Sequence, residues 1–304
     1  MTDLTIVPFA EGEARLDWIG LTEALAAGHR LPKAQVEDVL MRRGQDTLLN
    51  RSAWIEGMGL AVKCATIFGG NPAKGRPLIG GAVTLYDDEF GALEALVDFH
   101  LVTKWKTAGD SLLAARRLAR PDSEVILIVG AGTVGRSLHQ AYGAAFPGAR
   151  FLVWNRSPEG AARFAAETGA EAVVDLEEAV GRADIVTSAT MTSEPILKGD
   201  WLQPGQHVDL IGAYRPDMRE ADDTAMRRAR VFCDSRDTTV HHIGEFRDPI
   251  ASGALSEADI VADYYELEKF ERRSPDEITL FKNGGGAHLD LMTARYILDA
   301  WRGA

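Results

Sequence analysis

Residues 124–135 read EVILIVGAGTVG: an unbroken apolar run, Val125 to Val129, enters Gly130, Gly132 and Gly135. A continuous Val/Ile/Leu run predicts a strand buried on both faces of a parallel sheet. The three glycines suit three separate demands. Gly130 allows a tight strand-to-helix turn, Gly132 lets the backbone approach a pyrophosphate, and Gly135 lets the following helix pack close to the strand. The first N–H groups of that helix have no intrahelical partner and carry partial positive charge, so they suit phosphate oxygens. The helical pattern from Ser137 to Ala141 supplies the context that gives the glycine spacing its weight.

The second half of this fingerprint narrows the ligand. A second strand, Phe151–Trp154, leads into Asn155-Arg156-Ser157. An NAD-binding chain places Asp or Glu about 20 residues past the glycines, to accept from the ribose 2′-OH. Here Asn155 takes that place, so no carboxylate repels a 2′-phosphate. Arg156 offers a cationic fork and Ser157 a hydroxyl. NADP(H) is therefore expected in preference to NAD(H), which the same cradle also admits.

Strand and helix alternate from Val125 to about Val240, with strands expected at 125–129, 151–154, 172–174, 184–188, 207–211 and 230–233. That pattern is a Rossmann-type, doubly wound parallel sheet in an α/β chain. The first part reads differently. A helix is expected over Trp18–Gly28. Strands follow at 36–41, 47–54, 60–68, 82–86 and 92–97, separated by turn chemistry such as Arg43-Gly44 and Gly69-Gly70-Asn71-Pro72. A long amphipathic helix from Phe99 to Ala119 is closed by Pro121. The tail returns as a strand at 278–282, a Gly284-Gly285-Gly286 turn and a helix over Leu289–Trp301. Expected boundaries are 1–120 with 275–304 for an α+β substrate-binding and dimerisation domain, and 121–274 for the dinucleotide domain.

The net charge of −12 in 304 residues excludes nucleic acid and anionic membranes as general partners. An anionic substrate must then be drawn by a local basic site. Two cysteines, Cys64 and Cys233, without a CxxC pair, fit a reducing cytoplasm. No apolar run approaches the ~20 residues needed to span a bilayer, and the acidic start does not read as a signal peptide. The adjacent His241-His242 has no further ligand at suitable spacing, so no metal site is expected.

Three cations stand in mainly apolar elements. Lys63 shares a strand face with Ala61, Ala65 and Ile67, and is either an edge charge facing water or a buried cation awaiting an anion. Arg51 lies within Leu48–Trp54, and Lys106 borders the apolar stripe of the long helix, where, taken alone, it is expected to snorkel to water. Together they suggest a clamp for a carboxylate.

The blocks Gly59–Lys63, Asn71-Pro72, Gly75-Arg76-Pro77, Leu101–Ala108, the turn at 130–135, Ala189-Thr190-Met191, Ile211–Glu220 and Phe281–Gly285 together resemble the ornithine cyclodeaminase/μ-crystallin family. The resemblance implies an NAD(P)-dependent homodimer with a mixed first domain and a Rossmann second domain. It assigns the substrate carboxylate to Lys63, and cofactor contacts to Thr107, Thr133, Val134, Asn155, Thr190, Met191, Gly212 and Asn283. Two positions depart from the family pattern. Lys106 stands where members usually have Arg, losing a bidentate fork. Tyr214 stands where cyclodeaminases carry an aspartate base. The resemblance thus implies NADPH-dependent reduction of a cyclic imino acid, Δ1-pyrroline-2-carboxylate or its six-membered homologue. Lys63, Arg51 and Lys106 would hold the carboxylate, with Arg51 ranked above Arg43 for the arginine. The imine binds already protonated, or Lys63 relays a proton. The rival readings are ornithine cyclodeamination, reductive amination of a 2-oxo acid, and NADPH storage without turnover.

Overall fold

The computed structural model describes residues 4–303. In chain order the elements are β1 (Thr5–Val7), α1 (Phe9–Glu13), α2 (Trp18–Gly28), β2 (Gln35–Arg43), β3 (Asp46–Ile55), β4 (Gly59–Ile67), β5 (Ile79–Tyr86), β6 (Leu93–Asp98) and α3 (Phe99–Leu118). There follow β7 (Val125–Val129), α4 (Thr133–Ala145), β8 (Arg150–Trp154), α5 (Pro158–Thr168), β9 (Glu171–Ala172), α6 (Leu176–Arg182), β10 (Ile185–Ser188) and β11 (His207–Leu210). The chain ends with α7 (Asp223–Arg228), β12 (Arg230–Cys233), α8 (Arg236–Thr239), α9 (Gly244–Ser252), β13 (Thr279–Lys282) and α10 (Ala287–Arg302). Among the described residues no helix is long and apolar enough to cross a membrane.

The chain divides into two compact units. The first runs up to Lys106 and resumes at Gly286. Its sheet has the order β1-β6-β5-β4-β3-β2, antiparallel except for the β1–β6 pair. The alternation seen in β4 follows from one covered face: Gly59, Ala61, Lys63 and Ala65 are buried while the residues between them are half-buried. Helix α10 lies on the covered face, and almost its whole first half is buried. Gly28 at the end of α2 is held against Met292 of α10, where a Cβ would meet the thioether sulfur at 2.7 Å. Trp18 stacks on Trp105 with ring centroids 3.8 Å apart. Strand β2 lies at the edge and is exposed along its length.

The second unit spans Thr107–Gly285. Its sheet has the order β12-β13-β11-β10-β7-β8-β9, and every pairing is parallel. Strands β7, β8 and β9 run outward in one direction and β10 and β11 in the other, so the order reverses between β7 and β10. In open α/β sheets that switch point, at the carboxyl ends of the strands, is where ligands bind. Helices cover the apolar run of β7, and Ile126 to Val129 are fully buried.

The boundaries differ from those read in the sequence. The unit begins at Thr107 because the second half of α3 is bound within it: Asn283 Nδ2 donates to Thr107 O at 3.0 Å, Tyr264 to the Asp110 carbonyl, and Arg272 to Leu118 O. It ends after β13 because that strand inserts between β11 and β12 and only α10 returns to the first unit. Pro121 marks the end of a helix, not the end of a packing unit. Strand β1 was not foreseen, since three residues carry too little periodicity to register.

Gly135 is fixed by packing. A Cβ there would lie 2.2 Å from Gly130 O and 3.3 Å from the Ile128 side chain. Gly135→Ala should therefore destabilise the protein by about 1–3 kcal/mol, as overpacking does. Urea unfolding checks this, with an unchanged midpoint counting against the packing role.

Candidate active site

The carboxyl ends of the parallel strands build one half of the candidate site. Gly130 follows β7 with φ +114°, and its N–H donates to Trp154 O at 2.8 Å, so the chain turns at once after the strand. A Cβ at Gly130 would meet Ala189 O at 2.8 Å. Gly132 is the N-cap of α4 and supplies no side-chain cap, which leaves the first N–H groups of the helix for a ligand. A Cβ at Gly132 would meet nothing within 4 Å. That open space, above uncapped N–H groups and beside the switch point, fits a pyrophosphate. Thr133 and Val134 form the first turn of α4.

Asn155 is locked where a ribose-binding acid would stand. Its Oδ1 accepts from Ala131 N at 3.2 Å and its Nδ2 donates to Ser157 O at 3.1 Å, so the carboxamide ties the glycine turn to the loop after β8. Ser157 caps α5, accepting from Gly160 N. Arg156 is exposed, and no hydrogen bond or ion pair engages it among the described residues.

Glu220 organises the loops after β10 and β11. It is fully buried and gathers its donors from both loops. Oε1 accepts from Ser188 Oγ (2.6 Å), Thr190 N (2.8 Å) and Thr190 Oγ1 (2.8 Å), and Oε2 from Gly212 N (2.5 Å). Gly212 must be glycine, since a Cβ would sit 1.9 Å from Thr190 O. Below lies Glu245, which accepts from the backbone N–H of Glu220 and Ala221. Burial raises the Glu245 pKa to about 7, Lys282 opposing and Glu220 adding to the rise. Asn283 donates to Thr107 O and to Ser111 Oγ (2.9 Å), pinning the end of β13 to α3. Met191 is 77% exposed and Tyr214 56% exposed. Thr190 and Gly212 thus share one bonded framework through Glu220, Asn283 is tied separately to α3, and Met191 stands outside both.

The basic cluster belongs to the first unit. Strand β4 lies inside the sheet, and Lys63 is 7% exposed, so the buried-cation reading holds and the edge reading does not. Register sets Arg51 directly opposite Lys63, and Asp38 opposite Arg51. The three side chains therefore share one sheet face. Asp38 takes Arg51 Nε at 3.0 Å and its Nη2 at 2.9 Å. Lys63 Nζ meets Asp290 Oδ1 of α10 at 2.8 Å and lies 4.9 Å from the Phe99 ring centre. Lys106 is 8% exposed, so it does not snorkel to water. Burial lowers the Lys63 pKa; Asp290 opposes this, and Lys106 and Arg51 add to it. Burial works against ionisation of Asp290, but Lys63, Lys106 and Arg51 outweigh it and hold its carboxyl below the usual range. His288, with His29 ring-to-edge at 5.4 Å, is kept neutral by burial, with His29, Lys106, Arg51 and Lys33 adding to the effect.

Asp290 and Glu220 were the residues whose roles sequence reasoning missed. The available signal was an acid inside an apolar pattern, His288-Leu289-Asp290-Leu291-Met292, the same anomaly that singled out Lys63.

A doubly wound parallel sheet with a glycine turn at its switch point defines the dinucleotide-binding class of α/β protein. The sequence pattern of the ornithine cyclodeaminase/mu-crystallin family matches residues 41–304, and the chain belongs to that family. It is 51% identical over 304 residues to the Δ1-pyrroline-2-carboxylate reductase of Paracoccus denitrificans (strain Pd 1222), covering 97% of this chain and 96% of that one. It is 34% identical over 245 residues to the ketimine reductase mu-crystallin of Mus musculus, covering 80% and 76%. Its structure matches that of the Thermococcus litoralis Δ1-pyrroline-2-carboxylate reductase in complex with NADH and L-proline. The TM-score there is 0.88 at 27% identity, over 99% of this chain and 98% of that one.

The open space at Gly132 yields a direct test. Gly132→Ala should leave folding stability within about 0.5 kcal/mol of wild type. It should also raise the NADPH dissociation constant on the order of tenfold or more by intruding on the phosphate cradle. Fluorescence titration beside thermal unfolding measures both, and unaltered affinity would place the phosphates elsewhere.

Proposed function

We propose that this chain is an NADPH-dependent reductase of a cyclic imino acid, Δ1-pyrroline-2-carboxylate or Δ1-piperideine-2-carboxylate, forming L-proline or L-pipecolate. The observation that carries the reading is the cation cluster of buried Lys63 and Lys106 with half-buried Arg51, which faces Lys63 in register. Like charges directly opposite one another across a ladder are destabilising. A carboxylate-bearing substrate relieves that repulsion. The 51% identity to a Δ1-pyrroline-2-carboxylate reductase supports the same substrate class.

Bound nicotinamide supplies the hydride for the imine carbon. The chain's own groups bind and orient. Gly130, Gly132 and the first turn of α4 with Gly135 behind it hold the pyrophosphate; Asn155 keeps the glycine turn in place; Arg156 and Ser157 take the 2′-phosphate. Thr190, Gly212 and Asn283, with Thr107, frame the nicotinamide end. Lys63 holds the substrate carboxylate, with Arg51 and Lys106 adding field and fixing orientation. The nitrogen takes up one proton as C=N becomes CH–NH, and the lowered pKa of Lys63 makes its Nζ a suitable acid of the cluster. Tyr214 offers no carboxylate to activate the amine of ornithine, which weighs against cyclodeamination. A homodimer fits the outer face of the first sheet, where Val39, Met41 and Trp54 are about half exposed.

Loss of 340-nm absorbance with NADPH and Δ1-pyrroline-2-carboxylate tests the activity. Rapid oxidation with the cyclic imine alone is expected. Proline and ammonia from ornithine, without imine reduction, would overturn the reading in favour of cyclodeamination. Cofactor choice is tested separately: Arg156→Ala should raise the KM for NADPH about tenfold, the worth of one charge-assisted pair, and leave that for NADH nearly unchanged. An equal effect on both would remove Arg156 from the 2′-phosphate.

A further inference from the structure

Asp290 touches neither water nor the exposed end of the cation row. It is 1% exposed and lies behind Lys63, with one oxygen on Nζ at 2.8 Å. Its other oxygen, Oδ2, is buried without a hydrogen-bond partner among the described residues. A carboxylate placed only to brace the fold is normally satisfied at both oxygens. Asp290 instead spends its one strong contact on the cation that the substrate needs.

The groups around Lys63 explain what that contact does. Arg51 of β3 stands opposite it in register, itself paired with Asp38 of β2. Lys106 of α3 adds a second cation to its field, and β5 contributes only Val83. From α10 come Asp290 and neutral His288; His29, at the end of α2, is neutral too, with a pKa near 4, and Lys33 adds a further positive charge to the field at His288. Among the described residues, every charged neighbour of Lys63 except Asp290 and the Arg51-bound Asp38 is positive. Arg51 stays protonated whatever surrounds it, whereas a buried lysine gives up its proton readily. Of the cluster's two buried lysines, Lys63 is the one that Arg51 faces in register and that Asp290 holds, so it is where the cluster sheds charge if that contact is lost.

We infer that Asp290 is a positioning residue for the reaction: acting through Lys63, it keeps the carboxylate-binding row charged at the pH at which substrate binds. The inference rests on the substrate reading above. It makes Lys63 the group whose deprotonation sets the basic limb of substrate binding, and Asp290 the group that sets where this limb falls.

The test is the pH profile of kcat/KM for the cyclic imino acid at saturating NADPH, for wild type, Asp290→Asn and Asp290→Asn with Lys63→Arg. Asp290→Asn should move the basic limb to lower pH by about one pH unit or more, a tenfold or larger loss at alkaline pH with a much smaller loss at acid pH. The added Lys63→Arg should abolish the shifted limb, because a guanidinium does not titrate there. A uniform loss across the profile, with the limb unmoved, would make Asp290 a purely steric support and overturn the inference. NADPH affinity, unchanged in each variant, reports that the protein is folded; Asp290→Ser is the second variant if the asparagine form does not fold. A 13C NMR titration of Lys63 Cε in wild type and variant reads the same shift without turnover. If the enzyme ignores cyclic imines yet this midpoint falls, the substrate reading fails and the role of Asp290 stands; an unmoved midpoint overturns that role.

Discussion

Arg51 and Lys63 face each other across neighbouring antiparallel strands, and the first unit is arranged around that repulsion. Two like charges in register on a covered face cost stability unless something negative joins them. The chain answers at both ends of the row. Asp38 on the edge strand holds Arg51, where solvent still screens the pair. Helix α10 brings Asp290 down onto Lys63, where burial leaves no such screening. The return of the chain to the first unit after Gly285 is thus more than a packing convenience, because it carries the only acid that reaches the inner cation among the described residues. The middle of the row remains positive, as the proposed carboxylate clamp requires.

The second unit solves a different problem by a related device. Its loops after β10 and β11 must present backbone at close range, which is why Gly212 tolerates no side chain beside Thr190. Loops that close together carry N–H groups that need acceptors. Glu220 collects those of Thr190 and Gly212 and is in turn held at its own N–H by Glu245. A single buried carboxylate therefore sets the spacing of two loops. The energetic weight of such a site is asymmetric, since losing the acceptor leaves several buried donors unsatisfied at once.

The two halves were legible to different depths in the sequence. The strand from Val125 to Val129 and its glycines were readable because each residue there answers to a local rule: burial on both faces, positive φ, close helix approach. Lys63 was readable as an anomaly, though not as buried or exposed, because an isolated strand does not reveal its neighbours. That β4 lies inside the sheet decided it. Asp290 stands out only as an acid in an apolar pattern; its pairing with Lys63 was not readable, the two being 227 residues apart. The edge of the dinucleotide unit was misplaced for the same reason: β13 joins its sheet by pairing with β11 and β12, which no local pattern records. Local chemistry announces itself in sequence, and pairing across hundreds of residues does not.

The overall charge of −12 sharpens the argument for a built cation site. A chain this acidic repels both a dinucleotide phosphate and a small carboxylate at long range, so affinity must come from short-range contacts that solvent does not screen. In the proposed dinucleotide cradle, oriented N–H groups at an uncapped helix start would meet this, since they carry positive potential without the desolvation cost of a full charge. In the proposed substrate clamp a formal cation would meet the carboxylate, at the cost of burying Lys63, which Asp290 offsets. On that proposal a lysine serves for the reason that makes it vulnerable: its charge depends on its surroundings, so the acid paired with it would bear on the pH range over which the clamp holds a carboxylate.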